Sequence, residues 1–145
     1  MTNWKSLHFA GICLAIGGVC AASQAFATEY EAASTTAMGI TGDMSLTDAG
    51  MTFEDGTVLQ FSESVEQPVI YNGEEMPATI YTLASPSNPV FASGNDLCGQ
   101  DVTYIATWAD SGGAQPGIIM TTYSGEAPPK NVDEEMCSLY WYVQK

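Results

Sequence analysis

Arginine is absent from this 145-residue chain, and other bases are scarce: Lys5, Lys130, Lys145 and His8 stand against 17 acidic residues. All 17 acids lie beyond Thr28, whereas Lys5 and His8 lie before it, so the later part of the chain has neither His nor Arg and a formal side-chain charge of 2 − 17 = −15. Such a surface repels nucleic acid and anionic lipid, because binding either requires basic groups to neutralise phosphate. A Ser-His-Asp triad is excluded in its usual form, since no imidazole remains to act as base. A Ser–Lys pair would have to use Lys130, which follows Pro128-Pro129, or the terminal Lys145. Zinc is disfavoured because no His and no unpaired Cys is expected to supply ligands, and no cofactor motif is found.

The chain opens with an export segment. Lys5 gives the N-terminus positive charge, Phe9–Ala22 is an apolar run, and Ala25-Phe26-Ala27 has the small-x-small pattern of a signal peptidase site. Together these define a cleavable signal peptide over residues 1–27. The run falls short of the about 20 residues a spanning helix needs. A lipoprotein processed before Cys20 would need a lipobox leucine that Gly17-Gly18-Val19 does not provide. The expectation is therefore a periplasmic or secreted protein with no membrane span after cleavage. Residues 28–36 read as a flexible lead-in and residues 37–145 as one β domain.

Two cysteines remain beyond the signal, Cys98 and Cys137. In an oxidising compartment two cysteines of a small domain pair. No His or Arg remains in that part of the chain to lower a thiol pKa, so a reactive thiol is the disfavoured alternative.

After residue 36, short apolar stretches alternate with Gly, Pro, Asn and Asp, the rhythm of an antiparallel β domain. The spacing predicts a sandwich or small barrel. The clearest hairpin is Met51–Phe61, with Glu54-Asp55-Gly56 as a three-residue loop that keeps Met51, Phe53, Leu59 and Phe61 on one face. Pro68–Tyr71 ends at the turn signal Asn72-Gly73, and Ala78–Leu83 alternates as a further strand. Asp101–Trp108 and Gly117–Tyr123 read as a second hairpin, Cys137–Val143 as the last strand, and Asn131–Glu135 as a short helical turn.

Candidate chemistry is sparse. Ca²⁺ takes about 6–8 oxygen ligands, and Asn95, Asp96 and Asp101 offer three beside Cys98. The competing reading is that Gly, Asn and Asp there simply build the turn before a strand. The acidic groups Glu54-Asp55, Glu74-Glu75 and Asp133-Glu134-Glu135 are the candidates for a carboxylate pair, and each falls in an expected turn or loop. Tyr104 and Trp108 share one strand face, as do Tyr140 and Tyr142, with Trp141 opposite. One set is expected in the core, and the other is a candidate recognition stripe.

In the C-terminal half, Asp96-Leu97-Cys98-Gly99, Val102-Thr103-Tyr104, Trp108, Tyr123-Ser124-Gly125, Ala127-Pro128-Pro129, Cys137 and Tyr140 form a pattern. It resembles a set of small uncharacterised exported proteins of proteobacteria. The likeness covers about residues 94–143, roughly one third of the chain. It implies export, a β fold and a Cys98–Cys137 bridge, and assigns no functional residue. The leading functional expectation is a non-catalytic acidic binding module of the cell envelope, an inhibitor of a cationic protein such as lysozyme. The alternatives are a carboxylate-based hydrolase and a structural or accessory envelope protein.

Overall fold

A computed structural model of the protein describes residues 26–145. The signal segment 1–27 lies outside the described residues except for Phe26 and Ala27. Eight strands follow one another: β1 (Thr28–Ala32), β2 (Met44–Thr47), β3 (Gly50–Phe53), β4 (Val58–Tyr71), β5 (Glu74–Ser87), β6 (Val102–Asp110), β7 (Gly117–Tyr123) and β8 (Ser138–Gln144). Two short helices interrupt them, α1 (Thr35–Ile40) and α2 (Val132–Glu135). Each strand pairs antiparallel with the next, and β8 returns to β1, so the sheet closes into an up-and-down barrel. Of the two expected architectures, the barrel is the one formed. Cys98 and Cys137 are bonded, with Cα atoms 5.1 Å apart.

Local turn chemistry sets the register. Met51 pairs with Leu59 and Thr52 with Val58, which leaves the expected three-residue loop between β3 and β4. Its Gly56 has φ +87°, the left-handed position that such a loop places after its first residues. Tyr71 pairs with Glu74 across Asn72-Gly73, both at positive φ (51° and 76°), as a two-residue type I′ turn requires.

Residues 28–36 are not a lead-in. Thr28–Ala32 is β1, and Ser34 caps α1 by accepting the Ala37 N–H at 3.1 Å. The physical reason is period-two burial: Tyr30 and Ala32 point into the core while Glu29 and Glu31 are exposed. Tyr30 meets Met44 on one side and Gln144 on the other, so β1 closes the barrel. The chain's two middle strands are also longer than the sequence suggests, and β4 and β5 form a 14-residue arm each.

The apolar residues separate into two clusters. Inside the barrel lie Tyr30, Met44, Met51, Leu59, Tyr81, Ile105, Met120, Tyr140 and Tyr142, with Ala37 of α1 and the loop residues Phe91 and Leu97 packed against them. Side chains fill this interior, as in other small barrels. The two buried tyrosines of β8 find hydroxyl partners: Tyr140 donates to the Leu97 carbonyl at 2.9 Å, and Tyr142 hydrogen-bonds Thr41 at the end of α1. The second cluster lies on the opposite face of β4 to β7: Val69, Ala78, Ile80, Ala106, Trp108 and Tyr123 are covered by Val132. The chain thus leaves β7, crosses the outside of the sheet and plugs it with α2. It then returns to β8, where the Cys137 N–H donates to the Thr122 carbonyl.

Candidate functional site

The structure sorts the aromatic candidates. Tyr140 and Tyr142 are fully buried in the barrel, and Trp108 is buried beneath the crossing segment, its ring 5.2 Å from that of Tyr71. These three cannot form a recognition stripe in the folded chain. Tyr104 is half-buried with its hydroxyl on the Glu126 carbonyl, and Trp141 alone of the five counts among the exposed large apolar residues. Burial also pushes the Tyr140 and Tyr142 hydroxyls up from their ordinary pKa, because desolvation penalises the phenolate.

The calcium candidates build a turn. Asp96 Oδ1 accepts from the Cys98 and Gly99 N–H groups, at 3.1 and 2.6 Å. The Asn95 amide donates to the Gly39 carbonyl at 3.1 Å, and Asp101 is exposed. Side-chain-to-backbone bonds of this kind are how Asx residues make turns without an ion. Among the described residues, no three His, Cys, Asp or Glu side chains converge as a metal site.

Most of the carboxylate candidates are tied to backbone. Asp55 accepts from Thr57 and, at 2.9 Å, from the Ala92 N–H; the Thr57 bonds, then the Ala92 bond, hold its pKa below the usual range. Glu54 accepts from the Asp43 N–H. Glu135 accepts both the Lys130 and Asn131 N–H groups at 2.7 Å, and Asp133 accepts the Asn72 N–H at 2.9 Å. These bonds hold loops in place; Glu54 and Asp55 line one shallow cleft together, with Asp55 committed to the Thr57 and Ala92 N–H groups and Glu54 to that of Asp43.

One region remains unaccounted for. β3 pairs with β4 only through Val58, Leu59 and Gln60, while β4 continues along β5 to Tyr71. A register shift at Phe61/Glu63 turns β4 away from the β2–β3 hairpin. Below it, Ser62 to Glu66 and Pro68 are exposed. Glu66 holds Thr79 at 2.7 Å, and Glu63 faces Thr82. Glu74 and Glu75 lie at the tip of the same arm, and Asp133 and Glu134 of α2 flank it. Lys130 is the lysine of this region; Lys145 pairs with Asp43 at 2.7 Å on the far side of the barrel. The arm and α2 beside it therefore carry Glu63, Glu66, Glu74, Glu75, Asp133, Glu134 and Glu135 against one lysine.

Sequence reading missed this edge. The available signal was a β run carrying Glu63, Glu66 and Pro68, a combination found on exposed edge strands. Comparison of the chain with protein-family models, curated proteins and solved structures found no match.

Proposed function

We propose that the protein is a non-catalytic acidic binding module of the cell envelope, periplasmic or secreted, that engages a cationic protein. The observation that carries this reading is the carboxylate-rich arm of β4 and β5, where Glu63, Glu66, Glu74 and Glu75 with Asp133 and Glu134 stand against Lys130. Clustered charge of one sign raises the local concentration of an oppositely charged partner and speeds encounter, steeply so at low salt. The filled barrel interior supports binding at the outer surface rather than inside. The carboxylates tied to loop N–H groups support binding over carboxylate catalysis.

Outward-facing Glu29, Glu31 and Thr52 around an apolar interior are the reverse of a lipid-facing barrel. Among the described residues no helix is long and apolar enough to cross a membrane. A lysozyme is the sharpest form of the cationic partner. Lysozyme turnover measured with excess protein at low and high salt tests it. Salt-sensitive loss of turnover is expected, and unchanged turnover at every salt concentration would remove that partner.

A further inference from the structure

We infer that the bare edge of β4 from Ser64 to Pro68 seats an extended basic segment of the cationic partner, added to the sheet as a further strand. The inference rests on the acidic-binding reading above and assigns it a place and a mode.

The backbone geometry is the first argument. The Ile70 N–H points off β4 away from β5 and donates to the Lys130 carbonyl at 2.8 Å. Alternation along an antiparallel pair turns the N–H and C=O groups of Ser64 and Glu66, and the C=O of Pro68, to that same side. Among the described residues none of these has a backbone hydrogen bond: β3 has ended, and the crossing segment meets β4 at Ile70 and, through the Pro129 carbonyl, at the Gln67 side chain, 3.0 Å away. The edge is competent for strand addition because the chain already adds to it: Asn131 bridges Ile70 in parallel. Between the Phe61 bond to Ala49 and the Ile70 bond to Lys130, the same edge is open. At about 3.4 Å per residue, that gap spans about 27 Å and admits a guest of about eight residues, five of them opposite Ser64–Pro68.

Side chains supply the choice of guest. A groove lined by Glu66, Gln67, Pro68, Glu75, Pro77 and Ala78, with a volume of about 330 Å³, lies across the paired β4 and β5 strands and reaches the open edge at Glu66 and Pro68. It offers an apolar floor in the two prolines and a carboxylate from each strand. Glu66 and Pro68 share one face of the arm with Pro77 and Glu75, and a strand whose basic side chains recur at every second residue presents all of them to that face. Charge complementarity also rejects a second copy of this chain. Edge-to-edge pairing of two copies would set Glu63 and Glu66 against their equivalents in a chain of net charge −14.

The test uses the exported protein and a synthetic eight-residue peptide of alternating lysine and valine, with amide shifts and affinity followed by NMR. The control is the same peptide N-methylated at its interior amides on both edges, which keeps charge and side chains but removes the donors. The unmodified peptide is expected to shift the Ser64 and Glu66 amides and to bind at least tenfold tighter than the control. Ser64→Pro removes an N–H that the β4–β5 ladder does not use and leaves the charge unchanged; it is expected to weaken the unmodified peptide by a similar factor while the melting temperature holds. Equal binding of both peptides, or shifts confined to other amides, would overturn strand addition and leave the acidic-binding reading standing. Failure of both peptides to bind at low salt, while a basic protein is still captured, would overturn this inference alone. Failure of both peptides and the protein would overturn both.

Discussion

Val132→Ala tests whether the segment crossing the outside of the sheet is a structural part of the domain. Val132 is fully buried against Val69, Ala78, Ile80, Ala106, Trp108 and Tyr123. The substitution removes two methyl groups, worth about 0.8 kcal/mol each in transfer from water. A cavity term adds to this, since the neighbours belong to sheet strands or large rings that relax little. The expected loss is therefore about 2–3 kcal/mol. With a urea m-value of about 1–3 kcal/mol/M for a domain of this size, the unfolding midpoint should fall by roughly 1–2 M with m unchanged. Urea unfolding followed by tryptophan fluorescence reads it, because Trp108 lies beneath the plug. Exchange of the Ile70 amide gives a local check, its partner being Lys130 of the same segment. A midpoint unchanged within error, with faster exchange at Ile70 alone, would refute the reasoning. It would mean that the segment opens as a separate unit and adds nothing to the global fold.

Other outcomes follow from named contacts. Replacing Cys98 and Cys137 together by Ser should cost about 4 kcal/mol by the chain-entropy model for a loop of this length, read as a lower urea midpoint. Tyr142→Phe removes the buried hydroxyl pair with Thr41 and should cost about 1 kcal/mol, small because Thr41 keeps its bond to the Ala37 carbonyl. Burial pushes Tyr123 up to about 12, while the unfolded phenol titrates near pH 10. Its contribution is therefore complete below pH about 10 and declines by about 3 kcal/mol as pH rises to about 12. Absorbance of phenolate on alkaline titration should accordingly rise together with unfolding. Asp43 is held below its usual range by the Lys145 bond first and the Ala32 N–H next. Its stabilisation is present above the unfolded value, about pH 4, and is lost as pH falls through the depressed one. Asp43→Asn should flatten that acid limb of the urea midpoint, and salt should do so in part.

The sequence carries much of this fold where local chemistry is decisive. Asp55-Gly56 and Asn72-Gly73 name their turns because each needs a residue at positive φ, and the β6–β7 hairpin announces itself through the β-branched and aromatic run at Val102–Trp108. Asn131–Glu135 shows its helix through the capping side chain and the acidic first turn. β1 is hidden because Glu and Ala favour strands weakly, and Tyr30 and Ala32 reveal their common face only once β2 and β8 flank them. α1 is hidden because its six residues include Thr35, Thr36 and Gly39; the cap at Ser34 and packing of Ala37 decide it. The aromatic stripe was misassigned in part because a period-two pattern cannot show that both faces of β6 are covered, one by the barrel and one by α2. The open edge of β4 depends on where β3 stops, a long-range fact that Ser62–Pro68 does not contain.

The central claim is that carboxylates on the β4–β5 arm recruit a basic protein. The most direct measurement is capture on the immobilised exported protein from envelope extract at low salt, with elution by rising salt, beside the variant Glu63→Gln, Glu66→Gln, Glu74→Gln, Glu75→Gln. The account predicts one dominant basic partner, released as salt rises and retained much less by the variant. A partner held equally by both proteins, or no partner at any salt concentration, would contradict it.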